Sequence, residues 1–446
     1  MIRHTLKLRD FLQFSSLSYN YFMNKIRFLF LQALFLMTPL IYAWLYIPGI
    51  GVDLARVVKF VLPSLSWSWF ESVKVSFFLF CTLGALVAHL VDIFLSKKSV
   101  YLSRCFMISL GVFFLWTVIS LWLNYSGNIY FTSGNPEKRH GWFFYMALFS
   151  LFFLLKSVSS KERRQLLYTS FFAFLGVLIY AVFQKIGLDP LAPFYETRLD
   201  MNRAFGSLGN PNYLAGFILI MLPLLHETIF VHKWAHKALW DIILWVVGGI
   251  VIYWTGSYLA WIIFAGYVLV ILLTHIVPKK KHRDIFWISL VVAAFVGGII
   301  FWQEYGRDVL EMQKMKWFIA RWYLWKTGIA ALMYNPWHFL FWYGPDGFLA
   351  VSEYFRHPLL SVYEDASYRI DRSHNVFIDF ALHFGFPLLV VVLFFIGRSL
   401  PHISHGKRVS LLLFALYFSF NIPVLIHFLI VLQILTYPQS ENRHHW

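Results

Sequence analysis

Asp371-Arg372-Ser373-His374-Asn375-Val376-Phe377-Ile378-Asp379, continued by Phe384-Gly385-Phe386-Pro387, joins the two kinds of sequence this chain contains. Ahead of it, residues 303–375 form the one long polar segment. Behind it, residues 376–397 are apolar. Elsewhere polar residues fall in short gaps between apolar runs. A titratable imidazole, His374, stands where the long polar segment meets the apolar run. The other apolar runs then read as helices that build a lipid-embedded seat for a reaction at this junction.

Composition sets the fold class. Of 446 residues 59% are hydrophobic and 13% charged, whereas soluble domains carry about 25% charged residues. Apolar runs lie at 28–48, 73–95, 102–123, 142–156, 166–186, 213–231, 238–254, 258–277, 285–302, 376–397 and 409–435. An α-helix needs roughly 17–25 residues to cross hydrocarbon, and runs of this length do not suit barrel strands. The expectation is an all-α polytopic membrane protein of 11–12 transmembrane helices with one large extracytoplasmic loop. The uncertainty in number comes from 409–435, where Asn421-Ile422-Pro423 allows one tilted helix or two short ones joined at the proline. The run 142–156 is short for a span. The organisation is then a basic tail (1–27), nine spans (28–302), the loop (303–375), the C-terminal spans (376–435) and a short tail (436–446).

Cys81 and Cys105 both fall in apolar runs, so no disulfide framework or metal-type cysteine spacing is expected. Residues 1–27 are basic and mixed, and the apolar run after them is too long for the core of a cleavable signal. Their aromatic spacing suits a helix lying on anionic lipid. His89 and Asp92, near the end of the second run, read as satisfied snorkelling residues.

Charge gives the orientation. The chain has 38 basic and 22 acidic side chains, a formal net charge of +16. The tail (Arg3, Lys7, Arg9, Lys25, Arg27) and every second gap thereafter are rich in Lys and Arg, for example Lys161, Arg163 and Arg164, or Lys279, Lys280, Lys281 and Arg283. The gaps between are poorer: Arg56 and Lys59, Lys138 and Arg139, Arg198 and Arg203, none at 255–257. Because cytoplasmic loops collect Lys and Arg, the N-terminus is expected in the cytoplasm. The segments 187–212 and 303–375 then face outward. Neither ATP nor nucleotide sugars are available there, so an enzyme at that face must use a donor already activated and carried by lipid.

In the outer gap 187–212, Gly206, Gly209 and Asn210-Pro211 force a turn. Asn210 or Asn212 can cap the helix that follows. A helix N-terminus beside Arg203 suits an anion, although an ordinary capped start to a membrane helix needs no ligand. Thr255-Gly256-Ser257 must be a tight hairpin between two spans. In the long loop, 309–334 has helical periodicity, with Trp317, Arg321, Leu324, Trp325 and Gly328 on one face. Its aromatic density suits a helix at the lipid surface. His338 and His357 lack partner spacing and read as surface groups.

Three separated motifs resemble one family. Arg203-Ala-Phe-Gly-Ser-Leu-Gly-Asn-Pro-Asn-Tyr-Leu-Ala215, then Arg321-Trp-Tyr-Leu-Trp325 with Asn335-Pro336 and Gly344-Pro345-Asp346-Gly347-Phe348, then Ser373-His374-Asn375 with Gly385, follow in order the pattern of the O-antigen ligase and polymerase superfamily. Two positions depart from it. Tyr258 stands where the family often has arginine, and the usual paired glycines are one residue further apart at Gly344 and Gly347.

The resemblance implies a GT-C-like, inverting, metal-independent glycosyltransferase without a cofactor. It would move a glycan from undecaprenyl diphosphate to an acceptor hydroxyl at the periplasmic face of the bacterial inner membrane. Partners would be that lipid-linked donor, a lipid A–core or other glycan acceptor, and membrane lipids, with no nucleic acid. Arg203 and Arg321, with Arg372 matching less firmly, would bind the diphosphate. Arginine suits this because it is planar, bidentate toward phosphate and always charged. His374 would take the acceptor's proton, since an imidazole with pKa about 6.5 is a base at neutral pH. Asn375 or Asp379 would orient it, with Asn210 and Asn212 in support. No Asp-x-Asp pair or His/carboxylate cluster at ligand spacing occurs in the outer segments. A polymerase or a protein O-oligosaccharyltransferase fits the same pattern. A lipid-glycan transporter would place its charges and broken helices near the midplane, often in repeated halves; here the polar groups collect in the outer gaps.

Overall fold

A computed structural model describes residues 22–40, 69–96, 111–112, 114–116, 118–119, 122, 130–135, 138–189, 202–228, 237–276, 316–341, 343–364 and 369–436. Among them every regular element is helical. The expected span 285–302, most of the basic tail and the opening of the long loop lie outside the described residues.

The centre is α5 (Pro211–Thr228). The helices before it are α1 (22–40), α2 (Trp69–Ser96), α3 (Trp142–Ser157) and α4 (Ser160–Lys185). From Leu214 to Leu225 its residues are buried all round, which a helix does only in the middle of a bundle. It packs against α4, α6 (Lys237–Thr255), α7 (Tyr258–Ile276), α12 (His405–Phe418) and α13 (Leu425–Thr436). Gly216 permits the closest approach: a Cβ there would stand 2.7 Å from the Phe418 ring. The cap of α5 is Asn210, whose Oδ1 accepts from Asn212 N at 2.8 Å.

Helix α4 begins ahead of the apolar run at 166. Ser159 Oγ and the Glu162 backbone, with Glu162 Oε2 returned to Ser159 N at 2.9 Å, form a capping box that starts the helix in polar sequence. Residues 71–94 of α2 and all of α4 are long and apolar enough to cross a membrane. On α2, Phe80, Leu83, Val87, Leu90 and Phe94 make an exposed apolar stripe at helical spacing, while Val75, Phe78, Cys81 and Ala85 pack inward. A stripe of this kind suits an apolar surrounding.

Two apolar runs are each broken into a helix pair. The run 376–397 becomes α10 (Val376–Phe384) and α11 (Phe386–Ser399). Gly385, at φ 80° and ψ 155°, makes the corner, a conformation open to a residue without Cβ. Pro387 fits the first turn of the next helix, where its missing N–H costs nothing. The run 409–435 divides at residues 419–424 into α12 and α13, so the two-helix alternative at Pro423 is the one adopted.

The long polar segment carries α8 (Lys316–Met333) and the short α9 (Pro336–Phe341). Its packed face is Ala320, Leu324, Thr327, Gly328 and Ala331, with Arg321 and Trp325 at the margin rather than at the centre. A second, smaller core forms where α8 meets α10. At Gly328 a Cβ would come within 2.9 Å of Ile378 and 3.1 Å of Ser373. The bare backbone of α8 is thus what lets the segment before His374 lie flat against it.

Candidate active site

Three loops meet at Asp371 and Arg372, just before His374. The first is described over 134–135 and 138–141, the second over 343–347, the third over 369–375. Among the described residues, Arg139 (φ 54°), Asp346 (φ 54°) and His374 (φ 59°) are the only non-glycine residues with left-handed backbone, one in each loop. Such conformations are uncommon for side chains of this kind and persist where surrounding structure fixes them, often at functional sites.

His374 is held from both sides. After it, Asn375 Oδ1 accepts from Phe377 N (3.0 Å) and Ile378 N (3.2 Å), capping α10. Before it, Asp379 Oδ1 accepts from Ser373 N (2.6 Å) and Ser373 Oγ (2.8 Å). Asn375 and Asp379 therefore fix the backbone on each side of the histidine. The imidazole is partly exposed. Burial, followed by the positive charges of Arg321, Lys138 and Arg372, holds its pKa well below the ordinary histidine value. It is neutral near pH 7 and able to accept a proton.

The cations differ in what they can reach. Arg372 is 3% exposed, forms an ion pair with Asp346 and donates to the His383 ring. Asp346 keeps this guanidinium charged in spite of its burial. Asp346 is itself engaged on its other oxygen, which accepts from Asn135 N at 2.7 Å. Arg372 thus stitches the loops together. A buried, paired guanidinium of this kind is costly to leave without its carboxylate. Arg321 is more accessible, 16% exposed, with Nη1 3.3 Å from Glu364 and its Nε buried without a partner.

Arg203 stands on the turn ahead of α5. Its Nε donates to Thr255 O at 2.6 Å, and Gly256 (φ 61°) gives it room, since a Cβ there would lie 3.1 Å from that nitrogen. Among the described residues no carboxylate pairs with it. The turn is fixed by Gln184 Oε1, which accepts from Gly206 N (2.8 Å), and by Lys74 Nζ, which donates to Ser207 O (2.6 Å). Tyr417 links it to the hairpin at 255–257: its hydroxyl donates to Asn212 O at 2.9 Å and lies 3.1 Å from Ser257 Oγ.

Sequence reading passed over the loop 134–141. Gly134 and Gly141 form its neck, where a Cβ on Gly141 would lie 2.2 Å from Gly134 N. From this loop Lys138 forms an ion pair with Asp371, and His140 Nε2 lies 3.2 Å from the buried Glu71. The signal in the sequence is a basic pair between two glycines in an otherwise Lys/Arg-poor gap, which counts toward topology as charge alone. His338 and His357 stack on Tyr343 (4.3 Å) and Tyr323 (4.4 Å).

Behind the 372–384 segment lies a cavity of about 570 Å³. Phe152, Phe377, Phe380, Leu393 and Phe428 line it, with Arg372, Asp379 and His383 at one end and Lys156 at the other. His374, Arg203 and Arg321 do not line it.

No curated protein and no solved structure matches the chain. A family model described as O-antigen ligase matches residues 243–393. That interval begins in α6, ends in α11 and contains Arg321 and His374; Arg203 precedes it. Residues 243–393 are thus similar to the O-antigen ligase family, the superfamily that the sequence motifs resemble.

Proposed function

We propose that this chain is an inverting, metal-independent glycosyltransferase that moves a glycan from undecaprenyl diphosphate to a hydroxyl of lipid A–core, at the periplasmic face of the inner membrane. The observation that carries the reading is His374: a strained, neutral imidazole ringed by cations at the end of the long polar segment. In the proposed step the acceptor oxygen attacks the anomeric carbon from the face opposite the diphosphate. The acceptor's proton passes to His374 Nδ1 or Nε2 as the bond to the leaving phosphate oxygen breaks, and the electron pair departs with the diphosphate. Arg321 and Arg203 gather that charge. Such leaving-group stabilisation by fixed donors is worth about 10²–10³-fold per group. The apolar cavity behind the site offers a dry seat for the donor's isoprenoid chain, which supports a lipid-borne substrate.

The test is transfer by the purified chain in lipid nanodiscs, from a lipid-linked glycan to lipid A–core, with product anomeric configuration read by NMR. Transfer with inverted configuration, at a rate unchanged by EDTA, is expected. A rate abolished by EDTA and restored by Mg²⁺ or Mn²⁺ would contradict the role given to the arginines. A product joining two lipid-linked repeats, with lipid A–core untouched, would assign the chain to polymerisation.

A further inference from the structure

The diphosphate site inferred above draws its charge from the cations around His374. Of the cations acting on His374, Arg372 is committed to Asp346 and does not give its charge to a phosphate. Arg321 is accessible. Lys138 is another. Its side chain is 14% exposed, and its partner Asp371, three residues before His374, is 16% exposed. Burial opposes ionisation of Asp371, yet Lys138 and Arg372 hold it below the usual carboxylate range, so it stays charged.

The loop that presents Lys138 is built to stay in place. The glycine neck closes it, Lys138 N and Arg139 N both donate to Asn135 O (3.1 and 2.7 Å), and Asn135 N is anchored on Asp346. Arg139 Nη1 donates to Ser76 Oγ of α2 at 3.0 Å, and His140 is fixed by Glu71. A loop held at four points carries its ammonium group on a flexible stem beside the proposed base. We propose that Lys138 is a further diphosphate-binding residue, paired with Asp371 in this structure and able to transfer its ammonium to the donor's phosphate oxygens. Lysine suits such an exchange because its charge is compact and its donors rotate freely, whereas a forked guanidinium binds one partner in one geometry.

This assignment rests on the glycosyltransferase reading for its ligand, but its test does not need turnover. Binding of farnesyl diphosphate to the full detergent-solubilised chain is measured by calorimetry for wild type, Lys138→Met, Lys138→Arg and Asp371→Asn. Loss of one charge-assisted contact should weaken binding by about tenfold or more in Lys138→Met, with only partial recovery in Lys138→Arg, which restores the charge without the freely rotating donors. Asp371→Asn releases the lysine and should bind as tightly as wild type or tighter. A lysine that only braces the loop gives another pattern: Lys138→Met and Asp371→Asn weaken binding alike, and the double variant is no worse than either. That pattern, or wild-type affinity in Lys138→Met, overturns the proposal. If Lys138→Met fails to fold, Asp371→Asn decides alone, because weakened binding there is incompatible with exchange. Lysine-dependent binding without any glycan transfer would overturn the functional reading and leave the lysine in place.

Discussion

Replacing His374 with alanine is expected to lower transfer by about 10²–10⁴-fold, the usual worth of a positioned general base. The loss should fall on kcat, with the donor's KM little changed, because the imidazole acts on the acceptor proton. The pH profile supplies a sharper readout. A base must be unprotonated, and burial together with Arg321, Lys138 and Arg372 lowers the pKa of His374. The acid limb of kcat/KM should therefore lie below about 6.5, the ordinary histidine value. Full activity in His374→Ala, in protein shown to melt like wild type, would remove the residue as base. An acid limb above 6.5 would contradict the surrounding charge.

Arg321→Ala is expected to produce the second large loss, about 10²–10³-fold in kcat/KM, on the scale of removing one preorganised charge-stabilising donor. It should also shift the acid limb upward, because the strongest of the cations depressing the His374 pKa is gone. A residue that merely packs α8 would lower stability without moving that limb. Arg203→Ala should cost a comparable factor in kcat/KM and move the limb less than Arg321→Ala does, since Arg321 is the strongest of the cations depressing the His374 pKa. Lysine at either position should recover only part of the loss, because an ammonium cannot reproduce bidentate contact with phosphate. The paired measurement, rate and pH profile for both arginines, separates their positions around the substrate. A limb that moves with Arg203 and not with Arg321 would reverse the geometry proposed for them.

Most helices were legible because a helix apolar on its outward as well as its packed face leaves an apolar run whatever the neighbours. The corners were less so. Gly385 and Asn421-Ile422-Pro423 sit inside apolar stretches long enough to span unbroken, and only Pro423 announced its break in advance. His374 and Arg321 could be picked out because their neighbours are unusual locally. Arg372 could not be placed by the same means. Its partner Asp346 lies 26 residues away, and nothing in the local sequence says whether a guanidinium there faces a ligand or a carboxylate. The wider glycine spacing at Gly344 and Gly347 looked like a departure from pattern; it is the turn that presents Asp346 to both Arg372 and Asn135. The loop 134–141 was hidden for a related reason, since a lysine counted toward topology carries no mark of what it touches.

The left-handed backbone at Arg139, Asp346 and His374 constrains how this junction can change by mutation. Valine, isoleucine and threonine are barred from all three positions by contacts at Cβ. Glycine would relax the chain at any of them but delete a cation, a bridging carboxylate or the imidazole. Single substitutions therefore trade local comfort against chemistry, and tolerated variation should accumulate on the exposed side of α8, around Trp322, Ile329 and Met333, where neither conformation nor charge is at stake.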